Sequence, residues 1–576
     1  MRYFLFIKLL LILETSYAQP PIDARIQEVL TGIQNYHHRE WIKDSTNGHV
    51  LRVYTEENFL NKYNFYREAL KKLAFINKAT LSFYDQINIE LLEHGIKDTI
   101  SIYEYKNYLN PLLSDVGFHT GIASRANTTF SNLKDAQKYI SMLQDIPRYV
   151  ENNLQLMQRG LKLGISQPDI IVIGLEPSYK NHIVDSIENS VFWKPFISRP
   201  FNIEEDDWRL LQLQARKEIT ERVIPSFRKI QSFFQNEYLP KTRKTLGASA
   251  LPQGPAFYED RVRHYTTTNL RSEDVYKIGI REVARIKSDM DKVISEVNFK
   301  GSFKEFIAFL RTDPKFQPKS AEALLMEASF IAKKIDGKLP ALFGRLPRQP
   351  YTVAPVPEYL APAYTTGRYA GAPITSRRSG EYWVNTYNLP SRTLYTLEAL
   401  TLHEAVPGHH LQVALTQELE NLPVFRKNFY INAFGEGWGL YSEYLGHEMG
   451  LYKDPYSLFG RLTYEMWRAC RLVIDVGIHT KNWTREQAVA YLADHTALSL
   501  YEVDTEINRY ISWPGQALAY KIGEIKIKEM RTKSELALKE KFDVRAFHDM
   551  VLSNGTVTLS LLEKMTDKFI EEQQKK

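Results

Sequence analysis

One cysteine stands in 576 residues, and a single Cys470 excludes any internal disulfide. A chain of this length can do without one even in an oxidising compartment, because its core is large enough to hold it together. Charge of one sign is scarce as well: the formal balance is +6, with the basic residues scattered rather than clustered. That scatter lacks the footprint of a nucleic-acid-binding protein, so no nucleic-acid partner is expected. No internal repeat or low-complexity tract is present, which leaves ordinary globular packing. The apolar stretch at the N-terminus is too short for a permanent membrane anchor.

That N-terminal stretch has another reading. Residues 1–18 begin with the basic Arg2, pass through a short apolar core and end on small residues at Ser16 and Ala18. This is the pattern of a secretory signal cut before Gln19; Lys8 interrupts the run, so a buried first helix is the rival reading. An exported protein, periplasmic or extracellular, is expected. No cysteine precedes the cut site, so lipid attachment is not indicated.

From Ile22 to about Leu246 apolar residues recur at three- and four-residue intervals, as in Tyr63 to Phe75 and in Leu133 to Leu161, the latter broken at Pro147. Trp208 to Phe234 predicts another long helix. The segment Gly247 to Gly254 is the best boundary, so residues 19–250 are expected to form one helical lobe and residues 251–576 a catalytic one. Val275 to Val293 carries one apolar helical stripe, and a Pro- and Gly-rich stretch follows from Leu346 to Gly380. Glu381 to Asn388 is the clearest strand, aromatic and β-branched and closed by Pro390. It reads equally as an edge strand that pairs with an extended substrate and as a small structural hairpin.

The densest chemistry lies just beyond, in His403-Glu404-Ala405-Val406-Pro407-Gly408-His409-His410. Hydrolytic zinc sites use imidazoles and a carboxylate as ligands, with a further carboxylate beside the water. The short form His-Glu-x-x-His sets its histidines one helical turn apart; here they fall at i+6 and i+7 instead. In a regular helix His409 would lie about 600° round from His403, and His410, although it shares the face, roughly 10 Å further along the axis. Pro407 lacks a backbone donor and Gly408 admits unusual dihedrals, so the helix can widen or break after Val406. His409 is then the favoured second ligand, with His410 the alternative or a supporting group. Glu404 has the position of a general base. Glu436, among Gly435, Gly437 and Gly439, is the best third ligand, and Glu443, two turns on, could orient a ligating histidine.

These residues, followed by Glu436-Gly437-Trp438-Gly439-Leu440-Tyr441, resemble the domain-of-unknown-function-885 family, itself similar to gluzincin metallopeptidases such as angiotensin-converting enzyme and the thimet oligopeptidases. The resemblance extends through Arg471 to His479, Trp483 to Ala488, Arg509 to Ile511, Pro514 to Lys521 and, upstream, Tyr382 to Thr386. It implies a mainly α fold with a deep catalytic cleft between two helical lobes, a small β-sheet near the active site, and zinc-dependent peptidase-like activity on short peptides. It also implies one zinc per chain on His403, His409 and Glu436, with Glu404 as base. Tyr520, Tyr510 and His479 lie in the matched segments, and related peptidases use Tyr or His to stabilise the oxyanion; Tyr520 is the expected catalytic one. Asn385, His479, Arg509, Tyr510 and Lys521 are expected to contact substrate, an Arg fork being suited to a carboxylate. A hydrolase of another amide or ester, and a non-catalytic peptide-binding relative, are the alternatives.

Overall fold

The computed structural model describes residues 22–358, 360–376, 378–420, 422–427 and 429–576; the expected signal, residues 1–18, lies outside them. The fold is mainly α with one small sheet. Short polar side chains start the early helices: Ser82 accepts from the Asp85 N–H ahead of α1 (Phe83–Glu104), and Asn132 from the Asp135 N–H ahead of α2 (Leu133–Lys162). The break expected at Pro147 does not occur, for α2 runs through it. An internal proline costs a helix about 3 kcal/mol. Here Leu143, Ile146, Val150 and Leu154 of α2 are buried in one core with Leu211, Ile219 and Ile230, and that packing outweighs the lost hydrogen bond. The helix expected over 208–234 is present but widens at Ile219–Val223, just ahead of Pro225.

The Gly247–Gly254 segment is not an exposed linker, since Ala248 is buried and donates its N–H to His479 Nδ1 at 2.9 Å. After it come α3 (Gly254–Thr266) and α4 (Ser272–Glu296), then β1 (Tyr351–Pro355), β2 (Gly367–Ala370) and β3 (Gly380–Val384). The strand order is β1-β3-β2, with β1 parallel and β2 antiparallel to β3. The predicted strand at 381–388 is therefore the central β3. Both its edges are paired, so it cannot receive a substrate strand, and the open edges belong to β1 and β2. The remaining key elements are α5 (Leu397–Glu404), α6 (His409–Glu418), α7 (Asn432–Leu445), α8 (Pro455–Thr480), α9 (Leu500–Ser512) and α10 (Ala519–Leu538).

Every residue of α8 from Phe459 to His479 is buried. A helix buried on all sides belongs at the centre of a core, and the largest apolar cluster surrounds it. That cluster also takes in Ile87 and Leu91 of α1 and Ile171, so apolar packing is continuous across position 250. No helix among the described residues is long and apolar enough to cross a membrane.

One buried carboxyl ties α8 to its neighbours. Asp475 accepts from Tyr258 Oη of α3 at 2.6 Å and from the Gly515 N–H, in the turn before α10, at 3.1 Å. Burial pushes its pKa up to about 7, against the pull of the Tyr258 hydrogen bond, the Gly515 amide and Arg471. An unfolded Asp titrates near pH 3.9, so from about pH 4 to about 7 the native state holds a proton that the unfolded chain has lost. Its stabilising effect is complete below the unfolded value and disappears as pH rises through the folded one. Urea unfolding from pH 5 to 8 is expected to show the wild type losing stability, by up to a few kcal/mol, relative to Asp475→Asn, which does not titrate. A difference between the two that stays constant with pH would refute this assignment.

Candidate metal centre

The histidine motif is two helices, not one. α5 stops at Glu404, Ala405 leaves helical geometry at φ −91° and ψ −112°, and α6 begins at His409. The turn contains a cis Val406–Pro407 peptide. Pro407 accepts from Trp438 Nε1 at 2.8 Å, and the His410 N–H bonds to Ala405 O, five residues back, at 3.0 Å. Gly408 folds against α5 so closely that a Cβ there would stand 1.9 Å from His403 O; only glycine can occupy it. The break swings His409 beside His403, with ring centroids 4.8 Å apart and ring planes at 84°.

Glu436, on α7, completes the cluster. One ligand atom from each of His403, His409 and Glu436 can be chosen so that all lie within 4.8 Å of one another. Glu436 Oε2 stands 3.6 Å from His403 Nε2 and 3.4 Å from His409 Nε2. Two atoms bound tetrahedrally to one zinc at about 2.0–2.1 Å are themselves about 3.3–3.4 Å apart, so these separations suit a shared ion. The glycines of α7 have distinct tasks. A Cβ on Gly439 would lie 2.6 Å from the His403 ring, so this glycine makes room for the imidazole, while Gly437 meets Gly523 of α10 backbone to backbone.

Glu443 holds the His403 ring. Its Oε1 is 2.8 Å from His403 Nδ1, and both groups are buried. A carboxylate there accepts, so Nδ1 carries a hydrogen, and Nε2 is the nitrogen that faces Glu436 and would offer its lone pair to a metal ion, the usual arrangement for a ligating imidazole. Arg468 of α8 stands 3.6 Å behind Glu443. Glu404 is nearly buried, and its Oε2 accepts from the Tyr369 N–H of β2 at 2.8 Å. Three carboxylates thus converge on two imidazoles. Burial works to lower the His403 pKa, but Glu436 and Glu443 outweigh it and raise it to about 10. Burial likewise opposes ionisation of Glu436, yet its contacts with His403 and His409 hold it well below the usual carboxylate range. Without a cation, a proton on imidazole offsets the negative charge, and a divalent ion fits the same place. The donor set is that of a His₂Glu zinc site.

The other expected site residues divide. Tyr520 lies beside the cluster, its ring 6.4 Å from that of His403 and nearly parallel to it. Arg509 reaches Tyr520 Oη at 3.2 Å and Gln516 Oε1 at 3.0 Å. His410 is not in the ligand group. It is buried, with Nε2 on Gln349 O at 3.0 Å and Nδ1 on Tyr369 Oη at 3.1 Å, and burial lowers its pKa to about 4.

Four expected substrate contacts are fully engaged inside the protein. Asn385 is buried, and its Nδ2 donates to the carbonyls of Ala361, Tyr364 and Thr365. His479 bridges the Ala248 N–H and the Tyr510 carbonyl. The Tyr510 hydroxyl accepts from Trp467 and Arg471. Lys521 is wholly buried among Glu282, Glu465 and Glu524. None of these side chains is free for a ligand, because a buried polar group without internal partners would be too costly.

Three neighbours of the cluster were missed from sequence: Arg468; Tyr430, whose hydroxyl donates to Glu436 Oε1 at 3.4 Å; and Tyr369. Arg468 sits i+3 from Glu465 and i+3 before Arg471, and charges at helical spacing in so apolar a helix were a usable signal. Tyr369 lay in the Pro- and Gly-rich stretch, where no pattern marks it. A cavity of about 680 Å³ lies elsewhere, lined by His94, Asp98, Arg261 and His264 among others. It holds none of these donors, so the site is assigned by its chemistry rather than by cavity size.

No curated protein matches this chain. A family model described as "Bacterial protein of unknown function (DUF885)" matches residues 40–565, which include every residue of the cluster. Two solved structures share the architecture. One, from Colwellia psychrerythraea and described as a "putative lipoprotein", is 26% identical, has a TM-score of 0.85, and covers 91% of this chain and 92% of its own. Another, from Shewanella oneidensis and described as a "putative lipoprotein of unknown function", is 18% identical with a TM-score of 0.70. It covers 94% of this chain and 99% of its own, and at that identity the likeness speaks for the fold alone.

Because Gly439 makes room for the His403 ring, Gly439→Ala is expected to displace it and, in protein loaded with zinc, to cut the amount retained after dialysis at least about tenfold relative to wild type, the loss typical of disturbing a ligand's support. Its circular dichroism should remain native. Full zinc retention by this variant would mean that the ring is not held where a ligand must be.

Proposed function

This chain belongs to the DUF885 family of bacterial proteins of unknown function, and we propose that within it the protein is a zinc-dependent hydrolase of peptide bonds in short peptides. The reading follows the gluzincin resemblance of its motifs. The observation that carries it is the convergence of His403, His409 and Glu436 with a further carboxylate, Glu404, fixed beside them. A pure binding site has no need of that fourth group.

The chemistry that zinc supplies when bound is Lewis acidity, which polarises a carbonyl oxygen and acidifies water. His403, His409 and Glu436 would hold one ion per chain. Glu443 keeps His403 in the tautomer with Nε2 free. Glu404 is the group that takes the proton from the attacking water at its carboxylate and passes it to the departing amine nitrogen. Arg509 donates into the Tyr520 oxygen, which leaves the phenol's own hydrogen to be offered to a developing oxyanion. Arg509 stands 3.6 Å from Glu506 but keeps 23% of its side chain exposed, the one expected substrate-binding residue with a face open to a substrate carboxylate.

Export is part of the proposal. The N-terminal pattern and the description of the Colwellia psychrerythraea structure, 26% identical, as a "putative lipoprotein" support it. Cys470, the only cysteine, is buried in α8 and is not open to acylation.

The test joins metal analysis of the purified protein to cleavage of a peptide library read by product mass. Stoichiometric zinc and cleavage of short peptides are expected, and a panel of small amides and esters distinguishes a non-peptide hydrolase. Glu404→Gln is expected to keep its zinc and lose roughly 10²–10⁴ in turnover, the usual weight of a general base. Protein that holds no zinc and stays inert when zinc is added would defeat the proposal in favour of a non-catalytic binder.

A further inference from the structure

We propose that His410, the third histidine of the motif, is a positioning residue for Glu404, acting through Tyr369. Tyr369 makes both contacts: its backbone N–H donates to Glu404 Oε2 at 2.8 Å, and its hydroxyl meets His410 Nδ1 at 3.1 Å. The direction of each hydrogen bond follows from the donors present. His410 Nε2 faces the Gln349 carbonyl at 3.0 Å, and a carbonyl only accepts, so Nε2 carries the ring hydrogen. Nδ1 is then the acceptor, and the phenol donates to it.

The strand geometry explains why Tyr369 serves Glu404 at all. β2 pairs with β3 on one side only. Thr366 O accepts from the Asn385 N–H at 2.8 Å, and Tyr369 stands opposite Tyr382. With backbone groups alternating along a strand, Thr366 and Arg368 face β3, while Gly367 and Tyr369 turn theirs to the open edge. Glu404 takes the outward N–H of Tyr369.

β2 is four residues long and lies at the edge of the sheet, where a short strand has little of its own to fix it. His410 supplies a second anchor from the same helix break that carries Glu404. The junction is tight, since a Cβ on Gly380 of β3 would stand 2.6 Å from Tyr369 Oη and 3.0 Å from His410 Nδ1. A backbone N–H held on one carboxylate oxygen fixes the orientation of the group. His410 thereby belongs to the motif without touching the metal ligands.

The kinetic arm of the test rests on the hydrolase reading; the exchange arm does not. His410→Phe and Tyr369→Phe remove the junction while leaving the ligands and the backbone donor in place, and His410→Asn returns an acceptor near Nδ1. Amide hydrogen exchange at Tyr369 in the full chain is expected to speed up about tenfold or more in both Phe variants and in Glu404→Ala, and to recover in His410→Asn. Zinc content should stay at the wild-type level. In the kinetic arm, kcat should fall about tenfold or more with KM within about twofold. A structural role alone would lower the melting temperature without that split.

Unchanged Tyr369 exchange in the Phe variants overturns the inference, as does loss of zinc from His410→Phe, which would place His410 among the ligands. Should His410→Phe fail to fold, Tyr369→Phe, which removes one hydroxyl, decides alone. If the wild type holds no zinc and cleaves nothing, the hydrolase reading fails, and the exchange arm still decides whether His410 positions Glu404.

Discussion

A helix buried on every side cannot carry an unpaired charge, and α8 carries a row of polar side chains at helical spacing: Arg461, Glu465, Arg468, Arg471, Asp475 and His479. Each must find a partner, and most find it on a neighbouring element. Arg461 pairs with Glu465, Glu465 with Lys521 of α10, Arg471 with Glu506 of α9, and Asp475 with Tyr258 of α3. Breaking one such pair by removing a partner typically costs about 3–5 kcal/mol, because the charge left behind stays buried. The network therefore specifies how the helices around α8 stand more sharply than apolar contact alone would.

The candidate site lies at the end of two branches of that network. One runs from Arg468 through Glu443 to His403 Nδ1 and sets the imidazole that faces Glu436. The other runs from Arg471, whose guanidinium lies 4.1 Å from the Tyr520 ring centre, and from Arg509 at the Tyr520 hydroxyl. Close backbone approach does the rest. Gly437 and Gly523 let α7 and α10 touch, Gly439 admits the His403 ring, and Gly408 lets the broken helix fold back on itself. The candidate ligands come from α5, α6 and α7; α5 and α7 pack on α8, and α6 packs on α5 and α7.

Much of this was legible before any coordinates. Mainly helical structure with a small sheet followed from apolar periodicity and one aromatic, β-branched run. His403, Glu404 and Glu436 stood out because donor residues cluster there beside a Pro-Gly break and closely spaced glycines. Other residues misled for a physical reason. Asn385, His479, Tyr510 and Lys521 are polar residues in segments matching the family pattern, but polarity in a motif does not tell a group that faces a ligand from one that satisfies a buried backbone or a buried charge. Pro147 misled in the opposite sense, because tertiary packing carried a helix through a residue that would end an isolated one. Tyr369 gave no signal, since its role depends on a backbone N–H, which every residue but proline has.

By itself the sequence determined the types of donor, their order and the place where the helix can widen or break, since these depend on side-chain chemistry and on what Pro407 and Gly408 allow locally. The choice between His409 and His410 belonged to the tertiary structure. Both follow the break, and only the five-residue hydrogen bond from His410 to Ala405, with Gly408 packed on α5, turns His409 toward His403 and Glu436 and sends His410 to the sheet. Convergence to within a few ångströms is a property of backbones that meet from distant parts of the chain, and spacing along one segment does not contain it.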